Sequence, residues 1–78
     1  MGQEQVKLFD RITATDGLMG GRPTIRGLRF PVSDILELLA SGMSATQIFE
    51  EHPILEKDDI KAALLFSALK VDEDIVHE

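Results

Sequence analysis

Gly20-Gly21-Arg22-Pro23-Thr24-Ile25-Arg26-Gly27-Leu28-Arg29-Phe30-Pro31-Val32 packs three glycines, two prolines and three arginines into thirteen residues. Pro23 and Pro31 fix their own φ and push Arg22 and Phe30 toward extended backbone. Thr24-Ile25 and Leu28-Arg29-Phe30 flank Arg26-Gly27, a spacing that suits a tight hairpin with glycine supplying positive φ. The segment reads as a rigid loop or hairpin that places guanidinium groups, as a grip on phosphates or carboxylates requires. It points to binding and away from catalysis.

Upstream, Arg11-Ile12-Thr13-Ala14-Thr15 has the alternation and β-branching of a short strand. Asp16-Gly17 and Gly20-Gly21 mark turns after it. Residues 1–9 read as a loose or partner-dependent end.

Downstream, three helices are expected. The first takes Ser33 as N-cap and Asp34 in its first turn, carries Ile35, Leu38 and Leu39 on one face, and ends at Gly42. Ser44-Ala45-Thr46-Gln47 is a capping box for the second, with Met43 and Ile48 as a hydrophobic staple and Pro53 stopping it near His52. The third runs from about Lys57 to about Lys70, with Glu56 a poor N-cap. Their lengths and short turns match a mainly α, trihelical helix-turn-helix with a small N-terminal β element. Residues 34–41 would support, 45–51 brace and 57–69 take the recognition position. The domain is expected over 10–70, followed by an acidic tail at 71–78.

Composition limits the function classes. Seventy-eight residues make one small domain, close to the lower limit at which a core holds without disulfides or metal. There is no cysteine, which excludes a disulfide scaffold and thiolate metal sites and suits a reducing cytoplasm. No apolar run approaches the ~18 residues of a membrane span, and no signal segment opens the chain, so a soluble cytoplasmic protein is expected. The net charge of −6 is divided: residues 1–32 hold five basic against three acidic side chains, and residues 33–78 hold three against eleven. One basic end and one acidic end suggest two kinds of contact.

Enzyme constellations are absent from the sequence. Gly17-Leu18-Met19-Gly20-Gly21-Arg22-Pro23 lacks the Lys-Ser/Thr ending of a phosphate-binding loop. His52 and His77 are far apart, and His52 reads as a partner for a helix C-terminus. The acidic groups Glu50-Glu51, Glu56 to Asp59 and Asp72 to Asp74 read as solvated helix ends rather than a cation site. No cofactor or metal is expected.

Arg11, Arg22, Arg26 and Arg29 face only Asp16 within residues 11–29. They would pair with the chain's own carboxylates, lie on DNA phosphates or in a minor groove, or enter a partner's carboxylate cluster. Lys57 and Lys61 join them as candidate contacts to DNA or a protein. Lys57 and Lys61 are nevertheless outnumbered by Glu56, Asp58 and Asp59, so this helix start alone would be repelled by DNA. The third helix is also apolar nearly all round: Ile60, Ala63, Leu64 and Ala68 make one face, and Leu65, Phe66 and Leu69 extend it. Leu65, Phe66, Leu69 and Val71 are therefore expected in a homodimer or partner interface.

These residues resemble a bacterial and archaeal domain-of-unknown-function family. Its pattern is Gly-Gly-Lys/Arg-Pro-x-Ile-x-Gly-Thr-Arg-Ile-Pro-Val, then a helix, Gly-x-Ser, and Pro-x-Leu-Thr-x-Glu-Asp-Ile. Residues 20–32, Gly42-Met43-Ser44 and Pro53 to Ile60 follow it in order, with Leu28 and Glu56 standing where the pattern has threonine. The resemblance implies a homeodomain-like helix-turn-helix and a VapB-like antitoxin role beside a PIN-like ribonuclease toxin. Such a toxin clusters carboxylates around Mg²⁺, which an inserted arginine would displace. The resemblance also implies operator binding for autoregulation. A protein-interaction module without DNA contact is the alternative.

Overall fold

The computed structural model describes residues 2–75 and is mainly helical, with a two-stranded antiparallel sheet near the N-terminus. In order, the chain forms α1 (Gln3–Phe9), β1 (Ile12–Thr13), a 3-10 turn at Met19–Gly21, β2 (Thr24–Ile25), α2 (Val32–Ala40), α3 (Ala45–Glu51) and α4 (Lys57–Ile75). Among the described residues, no helix is long and apolar enough to cross a membrane.

The hairpin forms in part as expected. Arg26 and Gly27 both have positive φ, 47° and 69°, and Leu28 N–H donates to Ile25 O at 2.8 Å, the pattern of a primed two-residue turn. The second arm does not become a strand. Ile25 N–H donates to Phe30 O at 3.0 Å, but pairing then shrinks to a single bridge between Thr24 and Pro31, since Pro31 has no N–H for a ladder. β2 instead pairs with β1, Ile12 opposite Ile25 and Thr13 opposite Thr24.

Three boundaries differ from the sequence expectations. Residues 3–9 are not a loose end: they form α1, which packs against α4. Seven residues do not hold a helix alone, so α1 depends on that contact. Helix α2 begins two residues earlier than expected, with Pro31 and not Ser33 at the N-cap and no side-chain cap bond. Helix α4 continues through Val71 to Ile75, so the first part of the acidic tail is helical; residues 76–78 lie outside the described residues.

The ends of α2 and α3 follow their local signals. Gly42, at φ 99°, donates to Leu39 O at 3.0 Å while Met43 N–H reaches Leu38 O at 3.3 Å, the two bonds of a Schellman cap. An added Cβ at Gly42 meets nothing within 4 Å, so only backbone strain opposes it. Gly42→Ala is expected to cost about 1 kcal/mol and to lower the melting temperature by about 4–8 °C in a calorimetric scan. Ser44 Oγ accepts from Gln47 N–H at 3.2 Å, and Gln47 Oε1 accepts from Ser44 N–H at 2.8 Å, completing the capping box.

The core lies where α2, α3 and α4 meet beneath β2. Ile25, Val32, Ile35, Ile48, Leu55, Ile60 and Ala63 are buried together, with Met43, Phe49 and Phe66 packed around them. His52 is the C-cap of α3, half-buried with its ring edge-on to Phe30 at 5.1 Å. Thr24 and Asp59 are the buried polar side chains of the described residues. Thr24 is satisfied through its hydroxyl contact with Thr13 at 3.0 Å.

Candidate functional site

Asp59 is the third residue of α4 and sits on the helix face that continues into Ala63 and Phe66, toward the core. A carboxylate in that phase must find partners or lose its charge. The hairpin supplies them. Arg26 N–H donates to Arg11 O at 2.7 Å, so the pairing of β1 with β2 sets the two arginines side by side over the start of α4. Arg26 Nε donates to both carboxylate oxygens of Asp59 at 3.1 and 3.2 Å, and its Nη2 donates to Oδ2 at 2.9 Å. Arg11 Nη1 donates to Oδ1 at 3.0 Å and to Glu56 Oε1 at 2.8 Å. Glu56 N–H completes the set, donating to Asp59 Oδ2 at 2.8 Å.

That last bond caps α4. Glu56 is the poor N-cap expected from the sequence and supplies no useful capping side chain. Asp59 instead reaches back from the first turn to the N-cap amide, half of a capping box, and its charge suits the positive helix end. Arg26 Nη2 also donates to Ile54 O at 2.8 Å, tying the turn before α4 to the hairpin. These bonds hold Arg26 at a positive φ that a non-glycine residue adopts at some cost.

Burial of Asp59 raises its pKa, but the hydrogen bonds from Arg26, the Glu56 amide and Arg11 outweigh it and hold the carboxyl below the usual carboxylate range. Both guanidiniums are raised, Arg11 chiefly by its bond to Glu56 and Arg26 by its bond to Asp59. A carboxyl depressed in the folded state contributes stability fully above its unfolded pKa, roughly 4, and loses it as pH falls through the lower folded value. Thermal stability is therefore expected to be flat near neutrality and to fall steeply below about pH 4, with a shallower acid limb in Asp59→Asn.

The expected contact residues thus divide. Arg11 and Arg26 are engaged within the chain, together with Glu56 and Asp59 from one of the acidic groups. Arg22 and Arg29 are exposed. Arg22 Nη2 donates to Ser33 Oγ on α2, while Arg29 has no side-chain hydrogen bond or ion pair among the described residues. Lys57 and Lys61 are exposed along α4.

Beside Arg22 lies a groove of about 290 Å³, lined by Pro23, Val32, Leu36, Phe66 and Val71 with Lys70 as its second cation. Lys70 Nζ stands 5.7 Å from the Phe66 ring centroid. Of the expected interface residues, Leu65 and Phe66 are half-buried, Phe66 against the core, whereas Leu69 and Val71 are exposed. Leu64 was not among them and is 48% exposed. The hub residue Asp59 was missed as well; its signal was an acid in phase with Ala63 and Phe66 on the buried face of a helix.

The arrangement defines a small helical domain in which a β-hairpin is clamped by ion pairs to the start of the longest helix, leaving an arginine beside an apolar groove. Residues 12–67 match the family model described as Protein of unknown function (DUF433). The chain belongs to that family. It is also similar to the uncharacterized protein y4eO of Sinorhizobium fredii (strain NBRC 101917 / NGR234), 32% identical over 56 residues. That alignment covers 72% of this chain but only 25% of the relative's length. No solved structure matches.

Proposed function

We propose that the chain is a cytoplasmic antitoxin-type protein that masks a PIN-like ribonuclease. Arg22 would reach the nuclease's metal-binding carboxylates, and the groove of Pro23, Val32, Leu36, Phe66 and Val71 would seat the adjoining apolar segment. The observation that carries this reading is the exposed Arg22 guanidinium set beside an apolar groove. Charge-assisted bonds to carboxylates next to desolvated apolar contact are the usual makings of a strong protein contact. The nuclease itself comes from the family pattern of residues 20–32 and 53–60.

Operator binding is the second reading. Support for it comes from α2, α3 and α4, which follow one another through short turns around Ile35, Ile48 and Ile60, as in a homeodomain-like helix-turn-helix. Exposed Arg29, Lys57 and Lys61 would make its phosphate contacts. With Arg11 and Arg26 tied to Asp59, fewer cations are left for phosphates, which favours the protein partner as the main target.

A tagged pull-down from the native cells, followed by mass spectrometry, tests the first reading. Stoichiometric recovery of a small PIN-like nuclease is expected; recovery of the chain alone would reject it. Titrating operator-length DNA at two salt concentrations tests the second, since phosphate contacts require a steep salt dependence.

A further inference from the structure

Phe66 and Lys70 stand one helical turn apart on α4 and line two separate grooves. At about 100° per residue, Ser67 and Val71 fall on one side of the line joining them and Leu69 on the other. Phe66 and Lys70 therefore form a ridge of the kind one helix offers another, with a groove along each flank. The first groove is the one beside Arg22. The second, about 330 Å³, is walled by Leu69 together with Phe9 and Ile12. Leu69 is 40% and Val71 53% exposed, so both flanks are open.

The chemistry of these grooves narrows what fits them. Ser67 Oγ donates to Ala63 O at 2.7 Å and Ser33 Oγ accepts from Arg22, so the hydroxyls are engaged. An extended peptide laid on this apolar floor would leave its amides and carbonyls unpaired. Strand β2 offers it no edge, because β2 pairs with β1 on one side and is bridged to Pro31 on the other. A helix satisfies its backbone internally and sends adjacent rows of side chains into adjacent grooves. The charge of that helix is set as well. Among the described residues, the two grooves are lined by two basic side chains and no carboxylate, on a chain of net charge −6. The side-chain partner of Arg22 among these residues is the neutral Ser33 hydroxyl, which leaves its charge to an outside carboxylate.

We propose that this surface takes one acidic, amphipathic α-helix of a partner protein, laid across the Phe66–Lys70 ridge with an apolar side chain in each groove and a carboxylate against Arg22. The inference rests on the reading of the Arg22 groove as the partner-binding face. It adds the second groove and the helical form of the partner, and it holds whether or not that partner is a nuclease.

The probe is an alanine-rich peptide of about 16 residues, helical in part, with leucines in two adjacent rows and glutamates beside them. Titrated into the isotope-labelled full chain, it is expected to bind saturably and to shift the NMR signals of Ile12, Phe66, Leu69 and Val71 together. Leu69→Asp and Val71→Asp, both at exposed positions, should each weaken binding about 10-fold or more with helical circular dichroism unchanged. Leu64→Asp, exposed on α4 outside both grooves, should leave it unchanged. No saturable binding overturns the proposal, as does equal binding by a peptide with lysines for glutamates or by one interrupted with proline. Pull-downs separate this result from the nuclease reading. A nuclease recovered equally by wild type and Leu69→Asp would overturn the second groove and leave the Arg22 contact. Saturable peptide binding with no nuclease recovered would uphold the helical mode and reject the nuclease.

Discussion

Asp59→Ala is expected to leave the domain largely unfolded at ordinary temperature, or to lower its melting temperature by roughly 15–25 °C. The carboxylate is fully buried and joins three parts of the chain: the hairpin through Arg26, the strand entrance through Arg11, and the start of α4 through the Glu56 amide. Removing it leaves two guanidiniums facing each other across the vacated site and one helix amide uncapped. Arg11 and Arg26 are 27% and 30% exposed, so water would relieve part of that penalty. The cost is then about 3 kcal/mol, the low end for breaking such a pair. A domain of this size has only about 3–5 kcal/mol in all. Asp59→Asn keeps an acceptor for the cap and is expected to fall between the two. A melting curve for Asp59→Ala within about 3 °C of the parent would show that the ion-pair hub does not hold the fold.

The second large effect is on binding. Arg22→Glu is expected to reduce affinity for the proposed nuclease partner by about 100-fold or more, with folding unchanged. Arg22 is exposed and its side chain is tied only to Ser33, so its loss removes little from the domain itself. The reversed charge would also repel the carboxylates that the proposal places opposite it. Arg29→Ala, on the same loop but away from the groove, serves as the comparison and should cost far less. Equal effects of the two changes, or affinity within about twofold of the parent for Arg22→Glu, would move the contact elsewhere.

What could be read from the sequence is what local chemistry decides. Gly42 ends α2, Ser44 with Gln47 opens α3, and the Arg26-Gly27 pair turns the hairpin, because in each case the controlling residues are a few positions apart. Residues 12–67 belong to a family of unknown function, which agrees with the resemblance only at that coarse level. Features that rest on distant partners were harder to see. Helix α1 has little of its own to hold it and forms against α4. The cap of α4 looked weak while Glu56 was judged by its own side chain, since the cap comes from Asp59 three residues later.

The arginines show the same limit at the site. Pairing with the chain's own carboxylates and contact with a partner were both open from composition. The two choices divide along the loop: Arg11 and Arg26 lie 48 and 33 residues from Asp59 yet meet it, while Arg22 and Arg29 remain on the surface. Only the β1–β2 register, which sets Arg26 beside Arg11, separates them. Spacing alone carries no sign of it.

The most direct test of the account is to titrate the PIN-like nuclease that the pull-down is expected to recover against an RNA substrate, adding the wild-type chain or Arg22→Glu. Suppression of cleavage at about one wild-type chain per nuclease, with activity retained in the presence of Arg22→Glu, is the result the account predicts. Full cleavage at saturating wild-type chain would contradict it.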